Sequence, residues 1–373
     1  MNGRWRRFAR VVQLGITTLL FAGIVMGAPK KNQAPTLTPQ ESGTTERLQA
    51  VSPVNSQVVW ASGTGGTYAL TTDGGETWTS HVVPGAETLQ FRDVEGVSDQ
   101  VAYLLASGTG TDSRIYKTED AGATWTLQAQ NTDPNGFWDC MAFWTPTKGL
   151  TMADASNGRF PVLRTLDGET WQDIGDRLPP PLPGGEFAFA ASGTCVATVG
   201  KRWAWIGTGS TTESRILATT DQGQTWNAYT TPIAAQPTGT AGVFSVDFRN
   251  PTHGVIGGGD FFSTEILDNF ARSKDGGKTW ELTTDAPIPG AIFGLSYAGK
   301  PEGSDNAGDA AHGGGSQIKT VVATGPGGAA WTPDEGDTWF LLEGVENYWA
   351  VAFANAQAGW LVGTDGRILK ISF

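Results

Sequence analysis

The octapeptide TTDGGETW at Thr71–Trp78 is the first copy of a motif that recurs along most of the chain. Its pattern is Thr or Ser, then Asp two residues later, Gly two residues after the Asp, and a closing Thr-Trp pair. The other full copies are TEDAGATW at Thr118–Trp125, TTDQGQTW at Thr219–Trp226, SKDGGKTW at Ser273–Trp280 and TPDEGDTW at Thr332–Trp339. A sixth copy, TLDGETW at Thr165–Trp171, is one residue shorter, so we expect a tighter turn there.

The spacing of the motif predicts the fold. Its aspartates are Asp73, Asp120, Asp167, Asp221, Asp275 and Asp334, separated by 47, 47, 54, 54 and 59 residues. Such a period is typical of one four-stranded β-propeller blade per copy. One further set of three strands fits after the sixth copy, which predicts an all-β, seven-bladed propeller. The last blade then lacks its outer strand, and the segment before Arg47 can supply it and close the ring, so that no edge strand is left open.

The residue types of the motif favour a structural role. An Asp carboxylate can accept hydrogen bonds from the backbone of its own turn, and glycine supplies the positive φ of a tight reversal. The closing Trp can cover the join between neighbouring sheets. We therefore assign the six aspartates to turns between the third and outer strands of each blade. We assign the six tryptophans to packing, namely Trp78, Trp125, Trp171, Trp226, Trp280 and Trp339.

The N-terminal residues predict export. Four arginines within the first ten residues precede an apolar stretch over residues 11–26, and Gly27-Ala28 offers a cleavage site. We therefore predict a signal peptide at 1–27, a flexible leader at 28–46 and a single propeller at 47–373, with a glycine-rich insertion at 301–316. An uncleaved membrane anchor is the alternative, and Sec and twin-arginine export stay open. The expected location is the periplasm or the cell exterior.

Charge and cysteine content exclude several classes of function. Cleavage removes four arginines and lowers the net charge from −12 to about −16, which disfavours nucleic acid and anionic lipid as partners. After cleavage we expect no membrane insertion. Cys140 and Cys195 are either a disulfide, which export permits, or two buried thiols. The three histidines, His81, His253 and His312, are too scattered for a metal set, and no Gly-x-Gly-x-x-Gly motif is present. We expect a monomer without cofactor or metal.

Three segments carry a family resemblance: FRDVEG at Phe91–Gly96, WDCMAFW at Trp138–Trp144 and GWLVGTDGRILK at Gly359–Lys370. With the repeat, they resemble BNR/Asp-box proteins, and in closer detail the bacterial relatives of the photosystem II stability/assembly factor. The resemblance implies a seven-bladed propeller that helps a protein partner to assemble. It is specific for fold and weak for function, because Asp boxes also occur in sialidases, glucanases and sorting receptors.

Enzyme functions find limited support in the sequence. A sialidase needs an Arg-Ile-Pro element before the first motif, and the nearest phrase, Arg159-Phe160-Pro161, follows the second. Another glycoside hydrolase needs two suitably placed carboxylates, for which Asp139, Glu186 and Asp93 are the candidates. We therefore favour a non-catalytic binding or assembly scaffold, with a glycoside hydrolase as the alternative.

Alignment of the inner strands on their aromatic ends predicts a binding site at one mouth of the central channel. The ligand would be a protein segment, a glycan or another small molecule. The candidate residues are Arg47, Arg92, Asp93, Trp138, Asp139, Glu186, Phe244, Phe293 and Trp349. Arg159 in a glycine-flanked loop is a further candidate, with Asp154 and Asp260 as secondary ones. Inter-blade packing of the rings and an Arg92–Asp139 ion pair are the structural alternatives.

Overall fold

The computed structural model describes Met1 and residues 34–299 and 318–373. This part of the chain forms twenty-nine strands in seven antiparallel sheets. The innermost strand of each sheet contacts that of the next, and the last contacts the first, so the sheets are the blades of a closed ring. The predicted seven-bladed propeller is confirmed.

The blades follow one another in chain order. Blades 1 and 2 comprise β2 (Leu48–Pro53), β3 (Val59–Gly63), β4 (Thr67–Thr71), β5 (Thr79–Val82), β6 (Phe91–Gly96), β7 (Ala102–Ala106), β8 (Arg114–Thr118) and β9 (Thr126–Gln130). Blades 3 and 4 comprise β10 (Trp138–Thr145), β11 (Lys148–Ala153), β12 (Leu163–Thr165), β13 (Gln172–Asp173), β14 (Glu186–Phe187), β15 (Val196–Val199), β16 (Trp203–Ser210), β17 (Ser214–Thr219) and β18 (Asn227–Thr231). Blades 5 and 6 comprise β19 (Ala241–Phe248), β20 (Gly254–Asp260), β21 (Phe270–Ser273), β22 (Glu281–Leu282), β23 (Gly294–Tyr297), β24 (Val321–Gly325), β25 (Gly328–Thr332) and β26 (Phe340–Leu341). Blade 7 comprises β27 (Tyr348–Asn355), β28 (Ala358–Gly363), β29 (Arg367–Ser372) and, as its outer strand, β1 (Thr36–Glu41).

The ring closes by pairing the two ends of the described chain. β1 runs antiparallel to β29, from Thr36 opposite Ser372 to Glu41 opposite Arg367. Six residues of the predicted leader therefore form the missing outer strand, and their backbone pairing covers the edge that β29 would otherwise expose. The predicted signal peptide at 1–27 and the insertion at 301–316 lie outside the described residues. Within the described part, no helix has the length and apolar character needed to cross a membrane.

The repeated motif forms the turns between the third and outer strands. In the first copy, Asp73 accepts hydrogen bonds from the backbone N–H and the hydroxyl of Thr77, at 2.9 and 2.6 Å. These bonds, above all that from the Thr77 hydroxyl, lower the pKa of Asp73 to about 2. In the short copy the corresponding backbone donor is Thr170, which is three residues after Asp167 instead of four. The turn is therefore tighter, as predicted from the shorter motif.

The hydrophobic core lies between blades. Each of seven clusters draws its buried side chains from two neighbouring blades, and every motif tryptophan contributes to one of them. Cys140 on β10 and Cys195 just before β15 form a disulfide that joins blades 3 and 4, with Cα atoms 6.0 Å apart. Of the two alternatives for the cysteines, the structure has the disulfide.

Candidate functional site

Five inner strands carry a β-bulge close to the point where they begin. At each bulge one residue is skipped by the pairing with the second strand of the blade. The skipped residues are Gln49, Arg92, Asp139, Phe244 and Trp349. A bulge leaves one residue unpaired and redirects its side chain. All five of these side chains line one cavity.

The cavity has a volume of about 340 Å³ and lies at one mouth of the channel. Its lining comes from the beginnings of inner strands, from loops between second and third strands, and from the segment between β14 and β15. It therefore lies at the end of the propeller opposite the motif turns, which join third to outer strands. The lining residues are Arg47, Gln49, Arg92, Phe137, Asp139, Asp154, Ala188, Phe189, Ala190, Ala191, Phe244, Phe261 and Trp349.

Stacked aromatic rings form one side of this mouth. The Phe189 and Phe244 rings stack with centroids 3.7 Å apart, and Phe244 stacks on Phe293 at 5.5 Å. Phe293 also stacks with Phe261 at 5.5 Å and meets Trp349 edge-on at 5.0 Å. Phe189, Phe244, Phe261 and Trp349 line the cavity, and the buried Phe293 ring packs against three of them, so the apolar side of the mouth is preformed.

Two arginines lie on the charged side of the mouth without a carboxylate partner. The Arg47 guanidinium lies 4.3 Å from the centroid of Trp349, and that of Arg92 lies 5.8 Å from Phe137. Arg92 also donates to Oε1 of Gln90 at 2.8 and 3.2 Å. Burial, followed by the charge of Arg47, lowers the pKa of Arg92. Neither arginine is ion-paired with any carboxylate of the described chain, so both keep donors for an anionic or carbonyl group.

Two aspartates meet behind these arginines. Asp139 is 1% exposed, and its Oδ2 atom has no hydrogen-bond partner. Burial and the negative charge of Asp154 raise the pKa of Asp139 well above its usual value, while Arg92 opposes the shift. Burial also raises the pKa of Asp154 to about 7, against a hydrogen bond from the Ala188 amide. Both shifts favour the protonated carboxyl groups, so this pair offsets the positive charge of the arginines less than two ordinary carboxylates would.

Four residues that the sequence placed at the mouth have other surroundings. Asp93 accepts hydrogen bonds from the Val94 and Met141 amides, both at 2.7 Å, and so ties blade 2 to blade 3. Trp138 is buried in the core between the same blades. The physical reason is the alternation of side chains along a strand, which turns the neighbours of a bulge residue away from the cavity.

Glu186 and Arg159 are both held in ion pairs. Glu186 is buried against Arg215, and it also accepts hydrogen bonds from the Thr208 hydroxyl at 2.6 Å and the Leu182 amide at 2.9 Å. Arg159 pairs with Asp173 and Asp176 at 2.6 and 3.0 Å, away from the cavity. The structure thus brings together Arg47, Arg92, Asp139, Phe244, Phe293 and Trp349, with the secondary candidate Asp154. The Arg92–Asp139 ion pair, the structural alternative for these two residues, does not form.

Several lining residues were missed by sequence reasoning. Gln49 occupies the same register as Arg92 and Asp139, and a stricter alignment of the inner strands would have found it. Phe189 and Phe261 lie in loops outside the repeat, so no register could place them. In the described residues, no group of three His, Cys, Asp or Glu side chains could hold a metal ion.

Comparison with known proteins supports the fold. No protein-family model and no curated protein matches the sequence. A solved structure described as YCF48 bound to D1 peptide is similar over 92% of this chain and 98% of its own, with 16% identity and a TM-score of 0.56. YCF48 from Cyanidioschyzon merolae is similar over 91% and 99%, with 15% identity and a TM-score of 0.57. The shared feature at this level of identity is the fold.

Proposed function

We propose that this chain is an exported, non-catalytic propeller that binds a polypeptide segment of a protein partner at the channel mouth. The observation that carries the proposal is the set of five bulges whose skipped side chains meet at one cavity. The glycan and small-molecule alternatives are less well supported, because the ring surface and the unpaired arginines suit a peptide that offers apolar side chains beside carbonyl or carboxylate oxygens.

Two further observations support a protein partner. A structure of similar fold is described as bound to a D1 peptide, so a propeller of this kind is compatible with peptide binding. Export rests on the basic and apolar pattern of residues 1–27 and on the disulfide, which oxidising compartments favour. We therefore place the interaction in the periplasm or outside the cell.

A hydrolase is the second candidate, and one observation favours it. Asp139 and Asp154 are neighbouring carboxyl groups that line the cavity, and the pKa of each is raised. Such a pair can supply one acid and one base. Glu186 and Asp93 are unsuited to this role because their oxygens are already occupied by hydrogen bonds and ion pairs.

The test is selection of binders from a phage-displayed library of random twelve-residue peptides, followed by fluorescence anisotropy with the selected peptides. Arg92→Gln and Trp349→Ala should each weaken binding about tenfold or more, the usual cost of losing a central interface residue. Arg202→Gln is the matched control, because Arg202 also lies over an aromatic ring, that of Trp203 at 5.2 Å, but away from the cavity. Unchanged binding in both mouth variants would overturn the proposal. Turnover of a chromogenic glycoside that Asp139→Asn abolishes would do the same.

A further inference from the structure

Exposed apolar side chains are unevenly distributed over the surface of the propeller. Ten large apolar side chains are exposed in the described residues. Four of them, Val82, Leu127, Leu282 and Leu341, occur singly on outer strands, as is normal for soluble proteins. Four of the ten lie inside the loop that joins β20 to β21, in one stretch of seven residues. These four are Phe261, Phe262, Ile266 and Leu267, and Phe262 is the most exposed of them at 78%.

Both ends of this loop are held by hydrogen bonds. At its start, Asp260 accepts bonds from the Thr240 hydroxyl at 2.9 Å and the Phe262 amide at 3.0 Å. At its end, the Asn269 side chain donates to the carbonyl of Ala286 and accepts from its amide, both at 2.9 Å. Between these anchors the four apolar side chains lie on the surface, with exposed fractions from 41% to 78%.

The loop continues the surface of the channel mouth. Phe261 lines the cavity and stacks on Phe293, while Phe262 meets Phe261 edge-on at 4.9 Å. A polypeptide that leaves the cavity on this side therefore passes over the exposed residues of the loop. Phe261 and Phe262 therefore join the loop to the apolar side of the mouth.

The charges around the loop indicate the character of the occupant. Glu265 and Asp268 lie among the apolar residues and form no ion pair within the described chain. No lysine or arginine occurs between Arg249 and Arg272, and both of those residues are ion-paired elsewhere. Anionic lipid would be repelled by this loop and by the net charge of −12. A basic partner would be attracted.

We infer that the loop from Phe261 to Leu267 is a docking surface for a polypeptide segment whose apolar side chains alternate with lysine or arginine. This inference rests on the proposed function, because the same segment enters the channel mouth. The apolar side chains of the segment cover Phe262, Ile266 and Leu267. Its basic groups meet Glu265 and Asp268.

The experiment uses peptides selected from the random twelve-residue library on the wild-type protein. Their sequences should combine apolar residues with lysine or arginine. Phe262→Ser and Leu267→Ser should each weaken binding about tenfold, as expected for an anchor residue of an interface. Glu265→Lys should weaken binding further as the salt concentration is lowered. Leu127→Ser is the matched control, since Leu127 is 46% exposed on an outer strand, close to the 55% of Leu267.

The outcomes separate this inference from the proposed function. If peptides need Arg92 and Trp349 but bind Phe262→Ser and Leu267→Ser with wild-type affinity, the docking surface is refuted and the mouth stands. If no peptide is selected, both fail. The inference is also overturned if loop substitutions abolish binding to vesicles of phosphatidylglycerol and phosphatidylcholine without affecting peptides. Light scattering that shows a dimer lost in Phe262→Ser, with peptide binding intact, overturns it as well.

Discussion

The disulfide between Cys140 and Cys195 gives the most quantitative prediction from this structure. It closes a loop with a sequence separation of 55 residues. In the chain-entropy description, a crosslink over this length lowers the entropy of the unfolded chain by about 14 cal/mol/K, or about 4 kcal/mol at 25 °C. The bond also matters for the site, because Cys140 follows the cavity residue Asp139. Cys195 follows the segment that contributes Ala188–Ala191 to the cavity wall.

The assay compares oxidised and reduced wild-type protein. Both cysteines are 0% exposed, so reduction requires unfolding in urea with a phosphine reductant before refolding. Urea unfolding, followed by tryptophan fluorescence, should give a free energy of unfolding about 4 kcal/mol lower for the reduced protein. The reduced protein keeps both sulfur atoms, so the comparison isolates the crosslink from packing.

The double variant Cys140→Ala/Cys195→Ala is the control for the reductant. Its stability should not change when reductant is added, and it should lie below that of the reduced wild type by on the order of 1 kcal/mol, because removal of buried sulfur atoms leaves small cavities. If oxidised and reduced wild type differ by less than about 1 kcal/mol, loop closure does not stabilise this fold as argued.

Three further predictions concern buried polar groups, each measured by urea unfolding. Asp154→Asn should stabilise the protein above pH 7 by up to about 4 kcal/mol and have little effect at pH 4. The reason is that the aspartate ionises from about pH 4 in the unfolded chain, whereas Asp154 in the folded protein, with its pKa of about 7, still holds a proton. The destabilisation of the folded protein by Asp154 therefore grows between these pH values and is complete above pH 7. The control, Asp99→Asn at an exposed position, should show no such pH dependence. Arg215→Met should destabilise by about 3–5 kcal/mol, because it leaves the carboxylate of Glu186 buried and unpaired; a loss below about 1 kcal/mol would contradict the role assigned to that pair. Thr118→Val should cost about 1–3 kcal/mol, because a buried backbone amide of its turn loses its acceptor, and wild-type stability would show that the motif threonine is dispensable.

The repeat explains why so much of the fold was predictable. Its Asp, Gly and Trp residues act within one turn or between adjacent strands, so their spacing alone located the turns, the blades and the missing outer strand. The same register placed Arg92, Asp139, Phe244, Phe293 and Trp349 at one mouth. Prediction failed for Asp93 and Trp138, whose side chains the strand alternation turns away from the mouth, and at Phe189 and Phe261, where the chain leaves the repeat.

The sequence by itself determined the blade count, the ring closure and the structural role of the motif, because these depend on hydrogen bonds and side-chain alternation that repeat locally. Only the tertiary structure decided which residues of different blades share an environment. It put Glu186 beside Arg215 and Asp139 beside Asp154, and it left Arg92 without an ion pair. The physical reason is that burial and charge depend on distances between blades, and the spacing within each blade carries no information about those distances.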